Sequence, residues 1–263
     1  MNLQLDGKIA LVTGSTAGIG HAIAASLASE GATVIVNGRH DDAVQRAVQA
    51  LQAGRVGRVL GFAGDLTQAA AAEALAAQHP QVDILVNNLG IFEVQPFEAI
   101  SDDEWRRFFD ANVLSGVRLA RLYLPYMRER NWGRIIFISS ESGYHIPAEM
   151  IHYGMTKAAQ IAVARGLAES LAGTNITVNS VLPGPTRSRG VGDFLADWGS
   201  KAGKSAKQVE DEFFTTARPT SLLKRFATTE EVASMVTYVA SPLSSATTGA
   251  ALRVDGGTIK SAF

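Results

Sequence analysis

Short apolar runs alternate with helical patterns along the whole chain, and this alternation limits the folds that the sequence can adopt. Most of the runs are continuously apolar, which is typical of strands covered on both faces. Strands that alternate with helices pair in parallel through right-handed crossovers. We therefore predict an α/β, doubly wound (Rossmann) fold, a seven-stranded parallel sheet with helices on both faces, as a single domain over residues 1–263. The predicted strands are residues 9–13, 33–37, 58–62, 83–88, 134–140, 176–182 and 251–255.

Capping signals mark where the predicted helices begin and end. Glycine follows two of the helical patterns, which are residues 18–30 before Gly31 and residues 40–53 before Gly54. Ser101 with Glu104, and Thr228 with Glu231, have the spacing of a capping box, in which each residue satisfies a backbone N–H of the other. The first box opens a pattern that reaches about residue 130, and Pro125 is expected to kink or shorten that helix.

Residues 184–227 depart from this rhythm, because they are rich in Gly, Ser, Lys and aromatic residues and are too long for an ordinary connection. We predict a substrate-binding lid here, with plain disorder as the alternative. The aromatic side chains of this segment either cover an apolar substrate or pack within the lid or against a neighbouring subunit; they are Phe194, Trp198, Phe213 and Phe214.

Composition argues against several functions. The chain has 24 Lys+Arg and 25 Asp+Glu residues, so we expect neither nucleic acid nor a membrane surface as a partner. It has no cysteine, which excludes disulfides, thiolate metal sites and a cysteine nucleophile, and its five histidines lack the spacing of metal ligands. Neither a signal peptide nor an apolar stretch of 18 residues occurs. We expect a cytoplasmic protein without a catalytic metal.

A glycine-rich loop, "TGSTAGIG" at residues 13–20, follows the first predicted strand and opens the first helix. Glycines at such a place allow a sharp turn and bring backbone N–H groups close to a phosphate. The spacing is GxxxGxG rather than G-x-G-x-x-G, so the position between strand and helix carries the dinucleotide prediction. The candidate cofactor-binding residues of the loop are Gly14, Ser15, Thr16, Gly18, Ile19 and Gly20.

The end of the second predicted strand indicates which dinucleotide is preferred. A ribose with a free 2′-hydroxyl usually meets an acidic side chain here, but this chain has Asn37 and Arg39. Because arginine suits a 2′-phosphate, we predict NADP(H) over NAD(H). Asp41 and Asp42 follow closely, and their negative charges weaken the argument for a bound 2′-phosphate.

Residues after the other strands are predicted to meet at the same crevice, because the carboxyl ends of parallel strands share one edge of the sheet. They add Asp65 and Leu66 after the third strand, Asn88 and Gly90 after the fourth, Ser140 after the fifth, and Pro183 and Gly184 after the sixth.

Tyr153 and Lys157 stand at positions i and i+4 of a helical pattern, so both project from one face roughly 5–6 Å apart. A phenol with a pKa of about 10 exchanges protons poorly near neutrality. A positive charge about 5 Å away, at an effective dielectric near 20, is worth roughly 3 kcal/mol, or about two pKa units downward. The pair therefore predicts a phenol that acts as an acid or base, with Ser140 as a second hydroxyl for the same substrate oxygen.

These motifs together resemble the short-chain dehydrogenase/reductase family, in its single-domain branch of roughly 250 residues. The resemblance runs from about Lys8 to "VDGGT" at residues 254–258. It rests on "TGSTAGIG", "NNLG", "ANVLSG" around Asn112, Ser140 thirteen residues before Tyr153, "YGMTK", and "PG" at residues 183–184.

The resemblance implies a role for each catalytic residue. Tyr153 would be the general acid in carbonyl reduction and the base in alcohol oxidation, and Ser140 would orient the substrate oxygen. Lys157 would lower the pKa of Tyr153 and hold the nicotinamide ribose, while Asn112 would support a water that relays protons to the lysine. After "PG", either Thr186, which we favour, or Ser188 would contact the nicotinamide carboxamide.

The resemblance also implies an NADP(H)-dependent oxidoreductase acting on a carbonyl or secondary alcohol. Within the family the sequence is similar to 3-oxoacyl-acyl carrier protein reductases and to sugar or alcohol dehydrogenases, and does not separate them. A dinucleotide-binding sensor or scaffold without turnover stays open as a different class of function. A homotetramer is implied, with residues 101–130 and 150–172 packing across one interface and the C-terminal segment across another.

Overall fold

The computed structural model of the chain describes residues 2–53 and 57–262. These residues form a seven-stranded parallel sheet in the order β3-β2-β1-β4-β5-β6-β7, which confirms the predicted fold class. The strands are β1 (Ile9–Val12), β2 (Thr33–Gly38), β3 (Val59–Ala63), β4 (Ile84–Asn87), β5 (Gly133–Ile138), β6 (Ile176–Pro183) and β7 (Ala251–Val254). The order reverses between β1 and β4, so the crevice of a doubly wound sheet lies at the carboxyl ends of these two strands.

Helices cover both faces of the sheet. They are α1 (Gly18–Ser29), α2 (Asp41–Gln52), α3 (Ala69–Gln78), α4 (Asp102–Phe109), α5 (Ser115–Glu129), α6 (Ile151–Glu169), α7 (Arg189–Ala202), α8 (Ala206–Thr216) and α9 (Thr229–Ala240). One apolar core lies under α1, α2 and α9, and a second lies under α3, α5 and α6. Among the described residues, no helix is both long and apolar enough to cross a membrane.

The capping predictions have mixed outcomes. Thr228 and Glu231 form the full reciprocal box, since Thr228 Oγ1 accepts from the Glu231 N–H at 3.2 Å and Glu231 Oε2 accepts from the Thr228 N–H at 2.8 Å. Ser101 accepts from the Glu104 N–H at 3.2 Å, but the Glu104 carboxylate pairs with Arg107 at 2.6 Å. The first box is therefore only half formed. Gly31 takes a φ of +91° after α1, as a terminal glycine should, and Gly54 lies outside the described residues.

The long helix predicted over residues 101–130 is divided, although not at Pro125. Helix α5 continues past Pro125 to Glu129, so the proline does not shorten it. Pro125 and Arg121 are both exposed, so water can replace the N–H that the Arg121 carbonyl lacks. The interruption is instead a π turn over Asp110–Leu114, between α4 and α5. Such turns often occur at functional sites.

The segment predicted as a lid contains two helices, α7 and α8, rather than a plain loop. Their apolar faces meet around Leu195, Val209, Phe214 and Phe226, with Trp198 and Phe213 packed against this cluster. The aromatic residues of the segment thus pack within it, which was one of the predicted alternatives; the side chain of Phe194 lies outside the described part. A role as a substrate lid stays a prediction.

Candidate active site

The glycine-rich loop between β1 and α1 has the geometry that its glycines require. Gly14 and Gly18 lie in the left-handed region, at φ of +59° and +60°. A Cβ on Gly20 would lie 2.5 Å from Asn88 Nδ2 and 2.6 Å from the Gly14 oxygen. Since real Cβ atoms do not approach so closely, a side chain at Gly20 would push the loop away from Asn88. The loop is therefore held close to the end of β4.

Asn88 and Thr13 make the bonds that hold the loop there. Asn88 Nδ2 donates to the main-chain oxygens of Thr13 at 2.9 Å and Gly14 at 3.0 Å. Thr13 Oγ1 accepts from the N–H groups of Asn88 at 3.0 Å and Leu89 at 2.9 Å. Asn88, a predicted cofactor residue, thus holds the glycine-rich loop in place, and its contact with a cofactor stays a prediction.

Asn37 and Ser15 are buried, and their side chains connect the loop to neighbouring strand ends. Asn37 Nδ2 donates to the oxygens of Phe62 at 3.2 Å and Gly64 at 3.1 Å, and Asn37 Oδ1 accepts from the Gly14 N–H at 3.2 Å. Ser15 Oγ donates to the Val12 oxygen at 2.6 Å and accepts from the Asn37 N–H at 3.0 Å. These side chains support the loop from inside, and their contact with a cofactor stays a prediction.

Arg39 is exposed just beyond β2. The two acidic residues that follow it are engaged elsewhere, because Asp42 pairs with Arg46 at 2.9 Å and Asp41 accepts from Gln45 at 3.4 Å. Within the described residues, neither aspartate forms an ion pair with Arg39.

The other predicted cofactor residues lie at the same edge of the sheet or behind it. Asp65 Oδ1 accepts from the Thr67 N–H at 3.0 Å, and the Leu66 side chain is fully buried in the core. Thr186 Oγ1 donates to the Gly184 oxygen at 2.9 Å, whereas Ser188 Oγ accepts from the Val191 N–H at 3.5 Å. The choice between Thr186 and Ser188 for the carboxamide thus stays open. The remaining positions are Thr16, over Gly38, Ile19 in α1 and Pro183 at the end of β6.

Tyr153 and Lys157 lie in the first turns of α6, with Lys157 Nζ 5.6 Å from the centre of the Tyr153 ring. Lys157 is only 4% exposed, and its Nζ donates to the Ile138 oxygen at 2.8 Å and to Gln160 Oε1 at 3.1 Å. A Cβ on Gly90 would lie 3.4 Å from the same Nζ. The absence of a side chain at Gly90 therefore leaves room beside the lysine.

The structure reverses the direction predicted for the pKa of Tyr153. Burial raises it above its ordinary value and the negative charge of Glu141 raises it further, while a hydrogen bond with Ser140 and the charge of Arg218 act in the opposite direction. Burial lowers the pKa of Lys157 to about 7. The prediction counted only the attraction between phenolate and ammonium, and desolvation of both groups outweighs it in the protein without cofactor.

Asn112 lies in the π turn, and its side chain is fully used within the protein. Its Oδ1 accepts from the Ile91 N–H at 2.7 Å, and its Nδ2 donates to the Ile91 oxygen at 3.0 Å and to Thr156 Oγ1 at 2.9 Å. Its main-chain oxygen accepts from Gln160 Nε2 at 2.6 Å. Since Gln160 also accepts from Lys157, a buried amide connects Asn112 to the lysine, and the water that the resemblance implies beside Asn112 stays a prediction.

Ser140 lies just after β5, at the opening of a short turn over Glu141–Gly143. Its Oγ accepts from the Ser142 N–H at 3.1 Å and donates to Glu141 Oε2 at 2.5 Å. Ser140, Tyr153 and Lys157 thus lie together at the carboxyl edge of the sheet, next to Asn112 and Gly90.

Comparison with known proteins agrees with this geometry. A family model described as short chain dehydrogenase matches residues 8–197. The chain belongs to the short-chain dehydrogenase family. It is therefore a member of an oxidoreductase family.

Relatives of this short-chain dehydrogenase cover its full length. The uncharacterized oxidoreductase YvaG of Bacillus subtilis (strain 168) is 48% identical, over 100% of both chains. The 3-oxoacyl-acyl-carrier-protein reductase FabG of Aquifex aeolicus (strain VF5) is 34% identical, over 98% of this chain and 99% of that protein. L-sorbose reductase from Gluconobacter frateurii, solved with NADPH and L-sorbose, matches with a TM-score of 0.93 at 30% identity, over 99% of this chain and 100% of that chain.

Three residues of this short-chain dehydrogenase site were missed from the sequence: Gln160, Glu141 and Arg218. Gln160 follows Lys157 by three positions on one helix, a spacing that places both on the same face. Glu141 is a charged residue directly after a buried strand and next to Ser140, which was a visible signal. Arg218 lies 77 residues from its partner Glu141, and no local pattern could connect them. Within the described residues, no group of three or more His, Cys, Asp or Glu side chains is arranged to hold a metal ion.

Proposed function

We propose that this short-chain dehydrogenase transfers a hydride between NADP(H) and a ketone or secondary alcohol, with Tyr153 as the general acid and base. The observation that carries the proposal is the placement of Tyr153 and Lys157 on one face of α6, next to Ser140 and at the mouth of the crevice formed by the glycine-rich loop. A dinucleotide sensor would not need a phenol, an ammonium and a serine hydroxyl brought together in this way.

The residues present fit a nicotinamide dinucleotide. The left-handed Gly14 and Gly18 open the loop before the N-terminus of α1, where N–H groups and the helix dipole favour a phosphate. Gly90 leaves space next to Lys157 Nζ for a ribose hydroxyl. When bound, the nicotinamide ring supplies or accepts the hydride.

Each side chain then has a defined task. In reduction the Tyr153 hydroxyl donates its proton to the substrate oxygen, and in oxidation the phenolate takes it back. Ser140 orients the same oxygen through a hydrogen bond. Lys157, held by the Ile138 oxygen and Gln160, stabilises the phenolate and binds the ribose. Gln160 and Asn112 fix the position of the lysine.

NADP(H) is the proposed cofactor, because Arg39 stands exposed where the adenine ribose of a dinucleotide would lie and its neighbouring aspartates pair elsewhere. The NADPH in the sorbose reductase complex supports this assignment. Binding of NADH with the higher affinity would contradict it.

The substrate is proposed as a small carbonyl compound with an apolar portion. Exposed apolar side chains border the site: the Phe92 ring lies 6.3 Å from the Tyr153 ring, and Ile146 packs against Gly154 of the same helix. The similarity to FabG and to sorbose reductase keeps 3-oxoacyl thioesters and ketoses as the two classes to test.

A panel of 3-oxoacyl thioesters, ketoses and simple ketones, followed by NADPH absorbance at 340 nm, tests the function. Tyr153→Phe should abolish turnover of every active substrate and leave NADPH binding intact, because it removes only the phenolic hydroxyl and keeps the ring. Substantial residual turnover would contradict the role of Tyr153. NADPH binding without turnover of any class in the unmodified protein would favour the sensor.

We also propose a homotetramer in the cytoplasm. Apolar residues of α5 and α6 line an exposed groove that suits a helix pair from a second subunit; they include Val117, Ala120, Leu124, Val163 and Leu167. The C-terminal segment would form the other interface. Light scattering should give four times the chain mass of 27.8 kDa, and a monomer would contradict the proposal.

A further inference from the structure

We propose that Glu141 and Arg218 are positioning residues of this site. Glu141 orients the Ser140 hydroxyl, and Arg218, which belongs to the lid segment, neutralises the charge of Glu141. The proposal rests on the proposed function, which assigns Ser140 and Tyr153 to the reaction. It concerns two residues for which the family resemblance implies no role.

The first observation is the direction of the Ser140 proton. A serine hydroxyl has one proton to donate and two lone pairs with which to accept. In Ser140 the proton goes to Glu141 Oε2 at 2.5 Å, and one lone pair accepts from the Ser142 N–H at 3.1 Å. The remaining lone pair of Ser140 can accept from the hydroxyl of Tyr153 or of an alcohol substrate, whereas donation to a carbonyl oxygen or to the Tyr153 phenolate requires the Ser140 O–H to turn away from Glu141. Glu141 thus sets the donor and acceptor directions of the serine.

The second observation is that the Glu141 carboxylate is buried and, among the described residues, is paired with one cation. Glu141 is 5% exposed, and its Oε1 accepts from Arg218 Nε at 3.0 Å. A buried carboxylate without such a partner is strongly disfavoured. Lys157 does not supply the charge, because its Nζ donates to the Ile138 oxygen and to Gln160. Arg218 therefore stabilises the charged form of Glu141 next to Ser140, the proposed catalytic serine.

The third observation is that the position of Arg218 depends on the lid. Arg218 follows α8 closely, its N–H donates to the Phe213 oxygen at 2.9 Å, and its guanidinium lies 6.0 Å from the centre of the Phe213 ring. Phe213 in turn contacts Phe214 and Phe226, at 5.1 and 5.0 Å between ring centres. The packing of the lid helices thus sets the position of the charge that reaches Glu141.

The two residues act on Tyr153 with opposite signs. The negative charge of Glu141 raises the pKa of Tyr153, and the positive charge of Arg218 lowers it. Two further charged groups lie nearby within the described part of the chain: Lys157, next to the Tyr153 ring on the same helix, and Glu149, which accepts from Arg218 Nη1 at 3.4 Å. Removing Glu141 and removing Arg218 should therefore shift the acidity of Tyr153 in opposite directions, whereas a pair that serves only to hold the fold would give no such opposition.

The test uses Glu141→Gln, Arg218→Met and the double variant in the full-length protein. The glutamine keeps the shape and a hydrogen-bond acceptor, and Arg218→Lys keeps the charge as the conservative rescue. Arg225→Met, which breaks the exposed pair with Glu231, is the matched control for loss of an arginine. Thermal unfolding and NADPH binding check that each variant is folded.

The decisive measurement titrates the residue at position 153 without turnover. A fluorinated tyrosine placed there has a more acidic phenol, and its ionisation is followed by absorbance. Glu141→Gln should lower the midpoint by about one pH unit and Arg218→Met should raise it by a similar amount. Arg218→Lys and the double variant should lie close to the unmodified protein. Shifts in the same direction, or no shift beyond that of Arg225→Met, would overturn the proposal.

The pH profile of kcat, measured on any substrate found active, should move in the same directions. Because the titration needs neither cofactor nor substrate, its result separates the two proposals. Opposite shifts in a protein without turnover would support the role of the pair and reject the proposed function. Turnover without opposite shifts would support the proposed function and reject the role of the pair.

Discussion

Lys157 carries a buried ammonium whose effect on the fold can be measured directly. Its side chain is 4% exposed, and burial lowers its pKa from the ordinary 10.5 to about 7. We predict that Lys157→Met changes how stability depends on pH, because methionine has a similar length and no charge. The measurement uses the protein without cofactor, so that cofactor binding does not add to the measured free energy of unfolding.

The sign of the effect follows from which state binds the proton. Below about pH 7 the lysine is protonated in both the folded and the unfolded chain, so the full cost of burying the charge is present. Between pH 7 and 10.5 only the unfolded chain holds the proton, so the stability of the unmodified protein rises with pH. The total is about 5 kcal/mol, at 1.36 kcal/mol for each pKa unit, of which about 2 kcal/mol falls between pH 7 and pH 9, because Lys157 is already half deprotonated at pH 7.

Denaturant and thermal unfolding at pH 7, 8 and 9 provide the assay. Relative to Lys157→Met, the unmodified protein should gain about 2 kcal/mol, or about 6 °C in Tm, over this range. The lost bonds to the Ile138 oxygen and Gln160 add an offset that does not depend on pH. Lys260→Met, at an exposed position, is the control and should show no pH-dependent difference. A constant difference between Lys157→Met and the unmodified protein would refute the reasoning.

Two further predictions concern the cofactor and the amide bridge. Arg39→Ala should weaken NADPH binding about ten- to a hundredfold, the range for a lost hydrogen bond between charged groups, and leave NADH binding unchanged in a fluorescence titration; equal losses for both cofactors would argue against the 2′-phosphate contact. Gln160→Ala should lower kcat with little change in the Kd for NADPH, because it releases Lys157 and Asn112 from one another. In a Lys157→Met background the same substitution should have no further effect on kcat, and additive losses would show that Gln160 acts elsewhere.

The sheet and the placement of Tyr153 beside Lys157 could be predicted because both follow from local patterns. Strand β6 was predicted at residues 176–182 and is observed at Ile176–Pro183, since a strand buried on both faces is a continuous apolar run. Strand β5 ends at Ile138, two residues before its predicted end, because Ser139 and Ser140 turn into the site. Tyr153 and Lys157 were predicted from their spacing on one helix together with Ser140 and the glycine-rich loop.

The lid helices and the charged network were missed for physical reasons. Helix α7 contains Gly190, Gly192 and Gly199, which weaken the local helix signal, and the apolar cluster with α8 compensates only in the folded state. The π turn around Asn112 shows no marker such as proline or glycine within its residues. The ion pair of Glu141 with Arg218 joins residues that are far apart along the chain, so only the folded structure shows it. The pKa of Tyr153 is raised rather than lowered because the side chain is buried, and spacing along the chain does not show burial.

Two buried cations of this protein, Arg134 and Lys157, differ in how fully protein atoms satisfy their N–H donors. The Arg134 guanidinium donates to three main-chain oxygens, of Gly133, Asn175 and Ser241, and lies over the Trp132 ring at 4.5 Å, so its charge is surrounded by protein. The Lys157 ammonium has three N–H groups. Within the described residues it donates to two acceptors, the Ile138 oxygen and Gln160 Oε1. Gly90 lacks the side chain that would cover the remaining side of Nζ. An arginine enclosed by carbonyls stabilises the strand ends around it, whereas a buried lysine with a donor left for a ligand destabilises the cofactor-free fold, and we predict that this donor binds the cofactor.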